Sequence, residues 1–151
     1  MYDFEYQKAT DAQTAVTALK THTDAKYLGG GQSLLAAMKL RLAQPSTLVD
    51  VTRIPGMTGI RTQPGVITVG AATRHADVAD SADIARMLPA LGELAGGIGD
   101  LQVRAMGTLG GSLANNDPAA CYPAAVLGLN ATVVTERRNI AADDFFLGMY
   151  E

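Results

Sequence analysis

Lys26-Tyr27-Leu28-Gly29-Gly30-Gly31-Gln32-Ser33-Leu34 (KYLGGGQSL) places three consecutive glycines between an apolar run and a helical pattern. Glycine costs backbone entropy wherever it is ordered, so three in a row need a physical reason. Ala25 to Leu28 reads as a short strand. Ser33 to Leu42 reads as a helix, with Leu34, Leu35, Met38 and Leu42 as its buried face. Lys39 and Arg41 suit the C-terminal end of that helix, and Pro45 is its stop signal. Glycines after a strand let the chain turn sharply and present successive N–H groups. A helix beginning at the same place adds its own unpaired N–H groups, and together they suit a diphosphate or another anion. The alternative is a tight strand–helix turn capped by Ser33.

Upstream, Thr10 to His22 has helical spacing, and Thr10 with Gln13 fits a capping box. Downstream, Leu48 to Val51 reads as a strand. The first fifty or so residues therefore predict helix, strand, helix, strand: a small βαβ-like lobe over residues 1–54 with a parallel strand pair. The pattern changes at Ile54-Pro55-Gly56. Gly59 to Thr62 and Val66 to Val69 flank Gln63-Pro64-Gly65 as a hairpin. Helices are expected at Ala76 to Asp80, Ile84 to Met87, Ala90 to Ala95 and Ala120 to Leu127, with a strand at Ala131 to Glu136. Asp143 and Asp144 read as N-terminal acids of a short helix. The second lobe, residues 55–151, is thus predicted as α+β with an antiparallel or mixed sheet.

Between those helices runs a glycine-rich stretch from Gly96 to Gly111, continuing as Met106-Gly107-Thr108-Leu109-Gly110-Gly111-Ser112-Leu113-Ala114-Asn115-Asn116-Asp117-Pro118. Neither glycine segment carries the Gly-Lys-Ser/Thr of a P-loop. A dinucleotide fingerprint fits Gly29 and Gly31 but meets Leu34 at its third glycine, although Asp50 stands where an acid would hold a ribose. A Rossmann domain has no use for the second segment. Two such segments on two lobes predict a ligand gripped between them. The alternative is a long loop stitched together by Asn and Asp turns.

Composition narrows the classes. The chain has 48% apolar and 18% charged residues, which is globular and not disordered. The net charge of −3, with no basic block, argues against nucleic acid. Cys121 is the only cysteine, so neither a disulfide nor a cysteine-ligated iron–sulfur cluster can form within the chain. With two histidines and no ordered acidic cluster, no metal site is expected. His22 and His75 read as surface or capping residues, and Cys121 as a small core residue. No run is long and apolar enough for a membrane span, and MYDFEYQKAT has no signal-peptide character, so a cytoplasmic location is expected. No acid/base constellation stands out, which fits chemistry done by a cofactor.

At these residues the chain resembles the FAD-binding medium subunit of molybdenum hydroxylases, of the carbon monoxide dehydrogenase and xanthine dehydrogenase type. The resemblance is carried by Ala25 to Leu35, Met38 to Leu42, Leu48 to Asp50, Arg53 to Gly56, Ile98 to Asp100 and Gly107 to Pro118. It implies a two-lobed PCMH-type FAD domain, C-terminally incomplete, because the family continues well beyond this point. A fragment, a split subunit or a decayed copy is therefore expected. By motif, Gly29, Gly30, Gly31, Gln32 and Ser33, with Thr108, Leu109, Gly110, Gly111 and Ser112, would hold the diphosphate, largely by backbone N–H groups. Leu28 and Leu34 would flank the first segment, and Ile98 would contact the flavin. Cys121 stands where much of the family has an aspartate on the FAD ribose side; Asp117 is the nearby acid that could substitute. Ala105 replaces a frequent asparagine. The implied function is electron transfer through FAD, from iron–sulfur clusters on a small subunit to an external acceptor. The molybdenum cofactor would lie on a separate large subunit. The other class is a non-catalytic remnant or split half that does not bind FAD alone. Valine at Gly30 or Gly110 is expected to abolish flavin binding and leave much of the fold intact.

Overall fold

The computed structural model describes residues 1–151. Its N-terminal part is a three-stranded parallel sheet of β1 (Glu5–Lys8), β2 (Lys26–Leu28) and β3 (Thr47–Asp50), in the order β1-β3-β2. Helices α1 (Ala12–Thr21) and α2 (Leu34–Lys39) make the crossovers that parallel pairing requires. Every residue of the central strand β3 is buried, as expected for a parallel strand with neighbours on both edges. Ala9, Ala15, Val49 and Ile54 form the small core, joined by Ala18, Leu19, Val51 and Met57.

The expected parallel pair is present as β2 and β3, with Leu28 opposite Asp50. β1 was not anticipated, because its four residues are mostly exposed and carry no apolar run. Asp11, and not Thr10, caps α1: its Oδ1 accepts from the Thr14 N–H at 2.7 Å, and a carboxylate is the stronger acceptor beside unpaired helix N–H groups. Helix α2 stops at Lys39, short of the expected Leu42. Arg41 adopts a left-handed conformation (φ 61°), with Arg41 N–H donating to Met38 O at 3.1 Å and Leu42 N–H to Ala37 O at 2.8 Å. That is a Schellman closure, and it turns Leu42 out of the helix to 79% exposure instead of into the core.

The remainder is mixed. The hairpin of β4 (Ile60–Gln63) and β5 (Val66–Val69) turns at Pro64-Gly65, where Gly65 supplies φ 76°. Then come α3 (His75–Ala79), α4 (Ala82–Met87), α5 (Pro89–Gly96), α6 (Leu101–Met106), α7 (Leu109–Asn115) and α8 (Tyr122–Gly128). An antiparallel pair, β6 (Thr132–Val134) and β7 (Asn139–Ala141), and the short α9 (Ala142–Phe145) follow. Val78, Ile84, Leu91, Ala95, Leu109, Leu113, Tyr122, Val126 and Ala142 form the larger core. No helix is long and apolar enough to cross a membrane.

Two assignments from the sequence are corrected here. The glycine-rich stretch is not an open loop, because Asp100 and Thr108 each start a helix. Asp100 Oδ1 accepts from Val103 N–H at 2.8 Å, and Thr108 Oγ1 accepts from Gly111 N–H at 3.2 Å. His75 is not a surface residue. It is buried beneath Gly107, its ring centroid 5.3 Å from that of Tyr122, and neither its Nδ1 nor the Tyr122 hydroxyl has a hydrogen-bond partner.

Burial lowers the affinity of His75 for a proton and raises the Tyr122 pKa. The unfolded chain takes up that His75 proton near pH 6.5 while the folded chain resists it, so stability falls as pH drops below about 6.5. One such proton contributes at most about 1.4 kcal/mol per pH unit. Urea unfolding at pH 7.5 and 5.5 should show the loss, and His75→Phe should reduce it. An equal loss in the variant would contradict this account.

Candidate functional site: a cradle of unpaired backbone amides

The end of β2 sets the first glycine segment. Val51 N–H donates to Leu28 O at 3.1 Å, fixing where the strand lets go. Gly31 then takes φ 73°, a conformation in which any side chain is strained, and a Cβ there would also press on Leu35. The N–H groups of Gly29, Gly30, Gly31, Gln32, Ser33 and Leu34 donate to no acceptor in the protein. Six consecutive free donors are the most distinctive feature of the molecule. Gln32 and Ser33 are exposed, but Gly29, Gly30, Gly31 and Leu34 are half-buried, where N–H groups are usually paired. Ser33 does not cap α2. Its own backbone is helical (φ −98°, ψ −52°), and its side chain makes no capping bond.

The two glycine segments touch. A Cβ on Gly29 would lie 2.8 Å from Thr108 Oγ1. One on Gly30 would overlap the Met106 carbonyl oxygen and sit 2.6 Å from the Gly107 Cα. The glycines are therefore needed to let one backbone pack on the other, a role separate from admitting a ligand.

The second segment is built differently from the first. Leu109 N–H donates to Thr73 O at 3.0 Å, Gly110 N–H to Ala71 O at 2.7 Å, and Ser112 N–H to Thr108 O at 3.0 Å. With Gly111 N–H on the Thr108 hydroxyl, these four amides are already engaged. The expectation of a second set of free backbone donors is thus corrected. The segment caps and continues into α7, and antiparallel pairing of Thr108 with Arg74 draws its other side onto the 71–75 strip. Thr108 N–H and the Ser112 hydroxyl remain without partners. A Cβ on Gly110 would meet Ala71 at 2.5 Å, so this glycine also serves packing.

Asp50 is buried at the end of β3, beside Leu28. Its Oδ1 accepts from Thr52 N–H at 2.8 Å and from the Thr52 hydroxyl at 2.6 Å, and its Oδ2 accepts from the Tyr6 hydroxyl. Burial pushes its pKa up, but the Thr52 and Tyr6 hydrogen bonds outweigh burial and leave it below the usual carboxylate range. Both oxygens are engaged within the protein, so Asp50 is not free to hold a ribose in the manner of a Rossmann domain.

Ile98 is half-buried against the larger core, in the turn before α6. Asp117 Oδ1 accepts from Ala119 N–H at 2.9 Å, making a side-chain turn that leads to α8. Cys121 begins that helix and is exposed, so it is not the core residue expected. The helix start turns Tyr122 inward in its place. Neither Asp117 nor Cys121 is among the atoms that flank Gly29 to Gly31 or Gly107 to Gly111. Sequence reasoning missed Gly107, pressed on His75, and Arg104, whose guanidinium holds the Ile98 turn.

A parallel sheet meets a mostly helical remainder through paired glycine segments, with free amides where they touch, and the fold is α+β. Residues 2–151 match the family described as "FAD binding domain in molybdopterin dehydrogenase". The chain is 43% identical over 152 residues to the carbon monoxide dehydrogenase medium chain of Hydrogenophaga pseudoflava, covering 97% of this chain and 53% of that one. It is 39% identical over 149 residues to the nicotine 6-hydroxylase medium subunit of Paenarthrobacter nicotinovorans, with coverages of 96% and 53%. The solved structure of the Hydrogenophaga pseudoflava carbon monoxide dehydrogenase gives a TM-score of 0.96 at 42% identity, over 99% of this chain and 54% of that one. Quinoline 2-oxidoreductase from Pseudomonas putida 86 gives 0.92 at 33% identity, over 98% and 53%. The chain belongs to the FAD-binding domain family of the molybdopterin dehydrogenases, and FAD is its cofactor. It spans about half the length of the relatives it matches. The site fits this cofactor: six adjacent free N–H donors, three of them on glycines, suit a diphosphate that must approach the backbone closely.

Proposed function

We propose that this chain is the FAD-holding part of an electron-transfer subunit in a molybdenum-containing hydroxylase or dehydrogenase. The observation that carries the reading is the run of free amides from Gly29 to Leu34. In it, these N–H groups bind the diphosphate, joined by Thr108 N–H and the Ser112 hydroxyl from the facing segment. Leu28 and Leu34 wall the first segment, and the Ile98 turn supports the flavin end. Residues 1–54 and 55–151 act as the two lobes that grip the cofactor. Asp117 and Cys121 lie further along the second segment, on the side assigned to the ribose.

Bound FAD supplies the redox chemistry, which the protein's own side chains do not. The residues bind and orient it and exclude water from one side. The carbon monoxide dehydrogenase and nicotine 6-hydroxylase relatives are a medium chain and a medium subunit, which supports a place among other subunits. The partners proposed are an iron–sulfur small subunit as electron donor and a molybdenum-cofactor large subunit where substrate is oxidised.

The test is the visible absorption spectrum of the purified chain and its titration with FAD. Flavin bands that co-purify, or saturable binding, support the reading. A colourless chain that does not bind added FAD contradicts it and favours the reading in which this chain does not bind FAD alone.

A further inference from the structure

His75 is wedged against the joint of the two glycine segments. Its backbone N–H donates to Gly107 O at 2.9 Å, and Leu109 N–H donates to Thr73 O at 3.0 Å, so the 73–75 and 107–109 strips are paired around Arg74 and Thr108. The imidazole closes the same contact with its side chain: a Cβ on Gly107 would lie 2.6 Å from Nε2 and 2.8 Å from Cδ2. Gly107 in turn receives Gly30, whose Cβ would lie 2.6 Å from Gly107 Cα. The order of contact is therefore His75, Gly107, Gly30, and the Gly30 N–H stands inside the run of free amides.

The ring is buried, and its Nδ1 and the neighbouring Tyr122 hydroxyl are both without partners. A neutral imidazole carries one N–H; a protonated one carries two and a charge, which such a place does not satisfy. Helix α3 packs on α4, α5 and α6, and no charged side chain there compensates the ring. Arg74 is paired with Asp77 and Arg86 with Asp83. Arg104 donates to the carbonyls of Ile98 and Gly99, and Asp80, Glu93 and Asp100 are exposed. Tyr122 faces the ring from α8, and burial raises its pKa, so its hydroxyl stays neutral. Burial alone acts on His75, and it disfavours the charged form.

We infer that His75 is a positioning residue for the amide cradle: the neutral ring holds Gly107 against Gly30, and a protonated ring leaves that place for water and lets the cradle loosen. The inference rests on the proposed diphosphate site and adds a proton linkage to it. A bound diphosphate attracts a cation, but a ring that has moved out to solvent is screened from it, whereas the seat of Gly107 is lost outright. FAD therefore selects the chain with a neutral His75. By linkage, FAD binding lowers the affinity of His75 for a proton by the same factor as protonation lowers the affinity for FAD.

The chain and its His75→Phe variant, which keeps a ring against Gly107 without a site for a proton, are titrated with FAD from about pH 7.5 down to about pH 5. Asp50 stays ionised over this range, because its pKa lies below the usual carboxylate value. The native affinity should fall as pH drops through the folded-state value of His75, by up to about tenfold per pH unit for one linked proton, and the variant should stay within about twofold. The second measurement needs only the native chain, and carries the test if the variant does not fold. His22 and His75 are the two histidines, so their imidazole NMR signals can be followed against pH with and without FAD. The His75 midpoint should fall when FAD is bound and the His22 midpoint should not move. Without FAD, the Gly30 and Gly107 amide signals should titrate with the His75 ring. The same pH dependence in both chains, cradle amides that do not follow the ring, or a His75 midpoint raised by FAD overturns the inference and leaves the proposed function standing. A native chain that binds no FAD at pH 7.5 overturns both.

Discussion

Gly30→Val should abolish FAD binding and lower the melting temperature of the chain in the same step. The added Cβ has no space, since it overlaps the Met106 carbonyl oxygen and crowds Gly107 Cα. Backbone cannot give way as the end of a flexible side chain can. The two segments must separate, which removes contacts on both sides and rotates the amides that face the diphosphate. Overpacking of this kind costs about 1–3 kcal/mol even in side-chain cores. Gly30→Ala should already show most of the effect, because the first carbon makes the clash. This revises the expectation that such variants would spare the fold, and the same holds for Gly110 against Ala71. Gly128→Ala is the control. It ends α8 with nothing within 4 Å of an added Cβ, so it should leave FAD binding unchanged and stability equal or slightly raised. Calorimetry and FAD titration of the three variants check this; a Gly30→Val protein with native stability and affinity contradicts it.

Asp50→Ala should be the most damaging polar substitution. It removes the acceptor of three hydrogen bonds that tie β1, through Tyr6, to the turn after β3, through Thr52. Hydrogen bonds to a charged group contribute about 1.5–3 kcal/mol each when both partners are buried. Tyr6 is half exposed and regains water, so a total loss of about 2–3 kcal/mol is expected. Leu28, opposite Asp50, is the last residue before the glycines, so the cradle should loosen as well. The pH dependence has a definite sign. A carboxylate whose folded pKa is depressed adds stability that is complete above the unfolded value near 4 and is lost as pH falls through the folded value. As pH falls below about 4 the native chain should therefore lose stability more steeply than Asp50→Asn, whose side chain does not titrate. Denaturant midpoints across that range measure the difference, and parallel curves would contradict the assignment.

The sequence made the parallel pair, the Pro64-Gly65 hairpin and the position of the first cradle legible, because each is written in local pattern: a short apolar run, a turn dipeptide, a glycine triplet. What it concealed depends on tertiary contact. Nothing local distinguishes a glycine that admits phosphate from one that admits another backbone, and Gly30 and Gly110 prove to be seated on backbone. Thr108 could be recognised as a hydroxyl near glycines, but the engagement of Leu109 and Gly110 N–H groups by Thr73 and Ala71 depends on a strip more than thirty residues away in the chain. His75 looked like a surface residue until Gly107 and Tyr122 closed over it. Asp50 was noticed for its spacing and turned out to be held by Tyr6, from a strand with too little apolar character to be recognised.

The central claim is that the free amides of Gly29 to Leu34 receive the FAD diphosphate. The most direct measurement is an amide correlation NMR spectrum of the labelled chain, titrated with FAD. The account predicts the largest shifts at these six N–H groups and at Thr108, with smaller ones at Leu109 and Gly110, whose N–H groups already donate to Thr73 and Ala71. Saturable FAD binding that leaves Gly29 to Leu34 unmoved would contradict it.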